Sequence, residues 1–395
     1  MQAQRASLIS GFMAAVLSMG LMADTPGNVA STFWTTASLE SAGLNVTAIQ
    51  ALHAEIEAGD HGLIDSLLIV HDGAIVFEAT YPHDYATLNE GLSYPSPPPW
   101  DYYNAQSYPW RGGTQLHSMQ SVSKSVMSAL IGIAIERGDL PGIAMTLSEM
   151  LPHRHITEPT KAGITLESIL TMTPGFEWNE WISYFDPAND ATATERTSDW
   201  VAYLLAKPIA APQGTVFNYN SSATQLLSEA LASAVGRSTA DYAKEHLFEP
   251  IGITEFYWNE APEGFTNAGG GLFLSPRDLA RFALLYEQEG VWNGTQVVPK
   301  AWVQASSTPW VVDIDPDDPA YDMGYGYQWW VYRQGNGDGP VMYGGWGWGG
   351  QFPLIIPDMD LVVVFTGWNI REESEFAYPF DLFYDRIILG TDAGR

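Results

Sequence analysis

Strand-like patterning occupies the two ends of this chain and helical patterning the stretch between them, and that split constrains the fold more than any other feature. Near the beginning, Leu67-Leu68-Ile69-Val70 and Ile75-Val76-Phe77 flank His71-Asp72-Gly73. Two short apolar runs around an Asp-Gly turn predict an antiparallel hairpin. Near the end, Tyr325–Tyr332, Phe352–Ile356 and Leu361–Thr366 read as strands, and about Tyr378–Leu389 as a closing helix. The middle carries helical spacing in the 120s to 130s, at Leu166–Met172, Trp200–Ala206, Ala223–Val235, Ala240–Leu247 and Pro276–Glu289. One more amphipathic helix, with Val46, Ile49, Leu52 and Ile56 on its apolar face, precedes the hairpin. This order predicts an α+β fold of two lobes: an antiparallel sheet flanked by N- and C-terminal helices, with an all-helical lobe inserted. The sheet lobe is expected from about 40–110 and 290–395 and the helical lobe from about 111–289, in one domain over 24–395.

Charge and composition remove whole classes of function. With 46 acidic against 17 basic side chains, the formal charge of −29 repels phosphate backbones and anionic lipid surfaces, so nucleic acid is not an expected partner. The absence of cysteine excludes thiol catalysis, disulfides, iron–sulfur clusters and cysteine-ligated zinc. Arg5, the apolar run Leu8–Ala23 and the small residues Gly20 and Ala23 before Asp24 read as a secretory signal peptide over 1–23. The protein is therefore expected to be secreted or periplasmic, with no membrane span in the mature chain. His153-Arg154-His155 lacks a third ligand at recognisable spacing. Asp313, Asp315, Asp317 and Asp318 mimic a calcium loop, but Pro316 interrupts it and the glycine and closing glutamate are missing. No metal is expected. Oligomeric state is not legible.

Three blocks can carry chemistry. In the first, Ser121-Val122-Ser123-Lys124 leads into the small and apolar run Val126–Ala134. On a helix beginning near Ser121, residues three apart share a face, so the Lys124 amine can reach the Ser121 hydroxyl. A hydroxyl is a poor nucleophile until a base takes its proton, and a lysine desolvated by apolar walls loses its preference for the charged form. Lysine occurs five times, and of these Lys124 alone is set in a long apolar helix. The alternative is a helix cap at Ser121 and a Lys124 that snorkels to water. In the second block, Phe217-Asn218-Tyr219-Asn220-Ser221, the Tyr219 phenol can relay a proton if a nearby Lys124 lowers its pKa. The third, Tyr343-Gly344-Gly345-Trp346-Gly347-Trp348-Gly349-Gly350-Gln351, is a glycine-rich approach to a strand, able to bring a backbone amide close to an oxyanion. His117, just before the first block, reads as a structural histidine.

Together these blocks resemble the serine β-lactamase and penicillin-binding superfamily, in the class C-like branch that holds DD-peptidases, family VIII carboxylesterases and 6-aminohexanoate-oligomer hydrolases. The resemblance runs from about Leu67 to Phe365 and includes Thr173-Pro174-Gly175, Pro250-Ile251-Gly252 and Ala268-Gly269-Gly270-Gly271-Leu272. It implies that Ser121 is the acylated nucleophile and that Lys124 and Tyr219 move the protons. The amides of Ser121 and Gln351 would form the oxyanion hole, and Trp348-Gly349-Gly350 would stand where β-lactamases carry Lys-Thr-Gly. The family's Tyr-x-Asn is here Tyr219-Asn220-Ser221, and Trp348 supplies no cation for a substrate carboxylate. Both departures argue against penicillins and D-Ala-D-Ala and suit an apolar acyl pocket. Tyr184-Phe185-Asp186-Pro187 resembles the tyrosine-bearing loop of the aminohexanoate hydrolases. Trp178, Trp181, Tyr184, Ser221, Trp346, Trp348, Gly349 and Gly350 are the expected substrate-binding residues. The expected activity is hydrolysis of a small-molecule ester, with an amidase, a β-lactamase or DD-peptidase, or a non-catalytic penicillin-binding protein as alternatives, and no cofactor. No Gly-x-Ser-x-Gly elbow is present.

Overall fold

Ile64–His71 is buried along nearly its whole length, as a strand covered on both faces must be, and Leu361–Gly367 is buried throughout. These two strands pair antiparallel at the centre of an eight-stranded sheet. In chain order the strands are β1 (Thr35–Thr36), β2 (Ile64–His71), β3 (Ala74–Thr80), β4 (Tyr321–Tyr325), β5 (Trp330–Gln334), β6 (Met342–Gly344), β7 (Phe352–Ile356) and β8 (Leu361–Gly367). Their order across the sheet is β1-β3-β2-β8-β7-β6-β5-β4, so both ends of the sequence do meet in one sheet. Every pairing is antiparallel except the short one of β1 with β3. The computed structural model describes residues 33–314, 321–334, 340–371 and 382–383. The expected signal peptide lies outside them, as does most of the expected closing helix, of which Leu382 and Phe383 are described, helical and buried.

Helices cover both faces of the sheet. Helix α1 (Val46–Ala58) is capped by the Asn45 side chain on the Ala48 amide and ends at Gly59, whose φ is +81°. It buries Ile49, Leu52 and Ile56 with Leu67, Ile69, Val363 and Phe365, alternate residues that share one face of the strands. The helical block contains α2 (Val122–Arg137), α3 (Leu166–Leu170), α4 (Trp200–Ala206), α5 (Ser221–Val235) and α6 (Pro276–Glu287). Within it α2 and α5 pack together, but α6 lies on β2, β7 and β8. The last helix expected in the inserted lobe thus belongs to the sheet, because its buried Leu279, Phe282, Ala283 and Tyr286 form an apolar stripe that the sheet's second face covers.

Tyr325–Tyr332 is not one strand. It breaks into β4 and β5 around Gly326–Trp329, closed by the Gly326 amide on the Trp329 carbonyl at 2.8 Å. A Cβ at Gly326 would stand 1.9 Å from the Ser306 carbonyl, so no other residue fits there. Among the described residues no helix is long and apolar enough to cross a membrane.

Candidate active site

Ser121 caps the N-terminus of α2, directly after Gln120, which holds a φ of +45°. That left-handed turn is costly for a residue with a side chain and is secured locally. Gln120 donates from Nε2 to Ser118 Oγ at 3.0 Å, and its carbonyl accepts from Ser123 Oγ at 2.6 Å. The Ser121 amide donates to no acceptor among the described residues, and it sits at the positive end of the helix. Because α2 is buried all round from Val122 to Ala134, Lys124 is 1% exposed. Its Nζ is 2.8 Å from Ser121 Oγ and 2.6 Å from the Gly269 carbonyl. Desolvation brings the amine down to about 8, with the Glu180 charge pulling the other way.

Tyr219 lies against the same pair. Lys124 Nζ is 4.9 Å from the centre of its ring. The ring stacks on Trp330 at 5.7 Å, and its neighbours fix the backbone: Asn218 donates to the Trp178 carbonyl at 2.9 Å, and Asn220 caps α5 through the Ala223 amide at 2.8 Å. The expectation that a cation would lower the phenol's pKa does not hold. Burial, and then Glu180, push it well above the ordinary range, with the Ser121 hydroxyl acting in the lowering direction. Tyr219 is therefore a proton donor in the resting site.

The glycine-rich block forms the connection from β6 to β7. Gly345 and Gly347 press on the start of α2: a Cβ on Gly345 would be 3.1 Å from Val122 Cγ2, and one on Gly347 would be 2.5 Å from the Met119 carbonyl. Trp348-Gly349-Gly350 lies beyond this approach as a turn, with φ of +89° and +120° at the glycines, so it does not take the place of an extended Lys-Thr-Gly strand. The Gln351 amide is not turned toward Ser121 as an oxyanion donor either. It donates to the Gly347 carbonyl at 3.1 Å and closes the turn. The Gln351 side chain braces the loop as well, through Nε2 on the Trp348 and Gly367 carbonyls and Oε1 on the Gly367 amide.

Two cavities open on Ser121. The larger, about 330 Å³, is walled by Glu180, Trp181, Ile182, Tyr184, Tyr219, Trp330, Trp346, Trp348 and Gly349. The smaller, about 60 Å³, reaches Glu195, Thr194, Ser221 and Asn267, with Tyr184 and Trp348 shared between the two. Of the expected substrate-binding residues, Gly350 lines neither, and nor does Trp178. Trp178 is buried behind the wall, where its indole donates to Glu180 Oε2 at 2.7 Å. Trp181 is 60% exposed at the mouth, with its ring 6.0 Å from that of Tyr219.

Glu180, Glu195 and the Gly269 carbonyl carry no motif by which the sequence marks them as part of the site. Glu180 is buried, and Glu195 is raised to about 7 by desolvation against hydrogen bonds from Ser96 and Tyr102. His117 donates or accepts within a buried group with Asp65 and Ser118, away from either cavity. His153 and Arg154 bind Glu229, and no group of metal ligands occurs among the described residues.

The family model described as Beta-lactamase matches residues 55–369. The chain belongs to the beta-lactamase family. A 6-aminohexanoate-dimer hydrolase from Paenarthrobacter ureafaciens is 26% identical over 279 residues, covering 67% of this chain and 68% of that protein. Among solved structures, the D-stereospecific amidohydrolase from Streptomyces superposes with a TM-score of 0.61 at 15% identity, covering 87% of this chain and 98% of the other. EstCE1, a hydrolase with promiscuous acyltransferase activity, gives 0.61 at 14% identity, over 87% and 97% of the two chains. At those identities the two structures bear on the fold. Family and site together make this beta-lactamase-fold protein a serine hydrolase.

Proposed function

We propose that this enzyme cleaves carboxylic esters, and small amides more slowly, through an acyl group carried on Ser121. One observation carries the reading: a desolvated amine, brought down to about 8, touches the hydroxyl of a serine whose own amide is unengaged among the described residues. Neutral Lys124 takes the proton as Ser121 Oγ bonds to the acyl carbon. The Ser121 amide, at the N-terminus of α2, stabilises the oxyanion. The bond to the leaving group then breaks, and the alcohol or amine departs with a proton from Tyr219, which Lys124 replenishes. Water repeats the sequence on the acyl-enzyme and frees the acid and Ser121. The aromatic walls of the larger cavity suit short acyl chains and aromatic leaving groups.

An amidase of the aminohexanoate type is the second reading. It is favoured by the 6-aminohexanoate-dimer hydrolase relative and by Tyr184, which lines both cavities beside Ser121. We further propose that the protein acts outside the cytoplasm, on the pattern of residues 1–23. A screen of nitrophenyl esters, a chromogenic cephalosporin and a linear aminohexanoate dimer tests the assignment. Ester turnover that is lost in Ser121→Ala supports it, faster turnover of the dimer moves it to the amidase, and ester turnover unchanged in Ser121→Ala overturns it.

A further inference from the structure

Glu180 is built into the wall beside the nucleophile in a way the proton-transfer scheme does not use. Its Oε2 accepts from the Trp178 indole at 2.7 Å and the Ser221 amide at 2.8 Å. Its Oε1 accepts from the Tyr184 phenol at 3.0 Å and the Ser221 hydroxyl at 2.5 Å. Four donors fill the roughly four lone-pair sites of a carboxylate. The protons of Ser221 and Tyr184 are therefore directed at Glu180, and what these hydroxyls can offer a substrate is oxygen lone pairs. Hydrogen bonds in such a chain polarise one another, so the buried charge strengthens both hydroxyls as acceptors.

The electrostatics of the rest of the site agree. Glu180 is the one charged side chain among the described residues that line the larger cavity, and no Lys, Arg or His is there. The smaller cavity adds Glu195 and again no base. Lys124, the cation next to Ser121, is turned to that hydroxyl and to the Gly269 carbonyl and lines neither cavity.

We propose that Glu180, acting through Ser221 and Tyr184, makes an acceptor wall that selects substrates presenting a nitrogen donor, an amide N–H or a protonated amine, near the scissile bond and turns away those presenting a carboxylate. Glu180 is a specificity-determining residue here, while Ser221 and Tyr184 make the contact. The inference rests on the serine hydrolase reading above and narrows its substrate class. It also gives a physical reason for excluding penicillin-type ligands: a wall whose hydroxyl protons are engaged does not donate to an acyl-amide carbonyl or to a carboxylate.

The test is a series of short esters identical except for a terminal methyl, ammonium or carboxylate group, placed in turn on the acyl and on the alcohol portion. Rates are read at about 0.5 M salt, so that distant surface charge is screened. A charge-assisted hydrogen bond of about 1.5–3 kcal/mol corresponds to a preference of about ten- to a hundredfold in kcat/KM for ammonium over carboxylate in at least one series. In Glu180→Gln, with every rate divided by that variant's rate on the methyl ester, the ratio is expected to fall to within about threefold of unity. Ser221→Ala, which keeps the carboxylate but removes one presenting hydroxyl, is expected to move the ratio the same way, and it decides the matter if Glu180→Gln does not fold. Wild-type enzyme that prefers the carboxylate in both series, or variants that keep the wild-type ratio, would overturn the proposal. No turnover of the methyl ester and no adduct on Ser121 would instead overturn the parent reading.

Discussion

An amine sealed in an apolar helix keeps its proton poorly, and that makes Lys124 both the base of this site and its pH sensor. With its pKa down at about 8, roughly a tenth of the molecules hold the neutral amine at pH 7. We predict that kcat/KM for a neutral ester rises with pH and levels off above about 8, measured as a full pH–rate profile. Tyr219 is pushed the other way and stays protonated across that range. Tyr219→Phe is accordingly expected to lower kcat by about 10²–10⁴-fold while leaving the midpoint of the rise in place. A midpoint that disappears with the phenol would identify Tyr219 as the base instead. That Ser121, Lys124 and Tyr219 meet was legible in the sequence, because a three-residue helical spacing and two asparagine-flanked backbone positions are local features. The direction of the Tyr219 shift was not, because it depends on how deeply a ring is buried and on Glu180, some forty positions away in the chain.

At the scale of elements, the connection from β6 to β7 decides how the sheet addresses α2. A methyl at Gly347 would stand 2.5 Å from the Met119 carbonyl and 2.7 Å from Gln351 Cβ, so the loop must shift away from the nucleophile. Gly347→Ala is predicted to cost about 1–3 kcal/mol of stability and at least tenfold in kcat/KM. Gly163→Ala, where the nearest atom outside its chain neighbours is 3.4 Å away and the site is remote, should leave both near wild type. Gln351→Leu removes the three hydrogen bonds through which that side chain braces the loop, and a fall in Tm is expected, whereas a purely backbone role would not depend on the side chain. The glycine-rich stretch was recognisable as a close approach. Which amide points at the substrate was not, because a seven-residue hairpin loop can close on itself, and here the Gln351 amide does so.

Taken whole, the chain carries a formal charge of −29, and most of the few Lys and Arg among the described residues are paired with carboxylates. Like charges repel in the compact state more than in the expanded one, and salt screens that repulsion, over about 10 Å at 0.1 M and 3 Å at 1 M. Tm is therefore expected to rise by several degrees between about 0.01 and 1 M sodium chloride. A flat or falling Tm would show that the excess charge is spread too thinly to matter. The two-ended sheet with its helical insertion was readable from periodicity. The acidic wall of the active site was not, since Glu180 lies in an aperiodic aromatic loop and gains its importance from Ser221, which comes 41 positions later in the chain.

The most direct measurement is the mass of the intact protein, and of its peptides, after brief mixing with an excess of a slowly deacylating nitrophenyl ester. One acyl group is expected, located on Ser121, formed faster at pH 9 than at pH 6 and absent from Ser121→Ala and Lys124→Ala. Turnover with no adduct at any time, or an adduct on another residue that persists in Ser121→Ala, would contradict it.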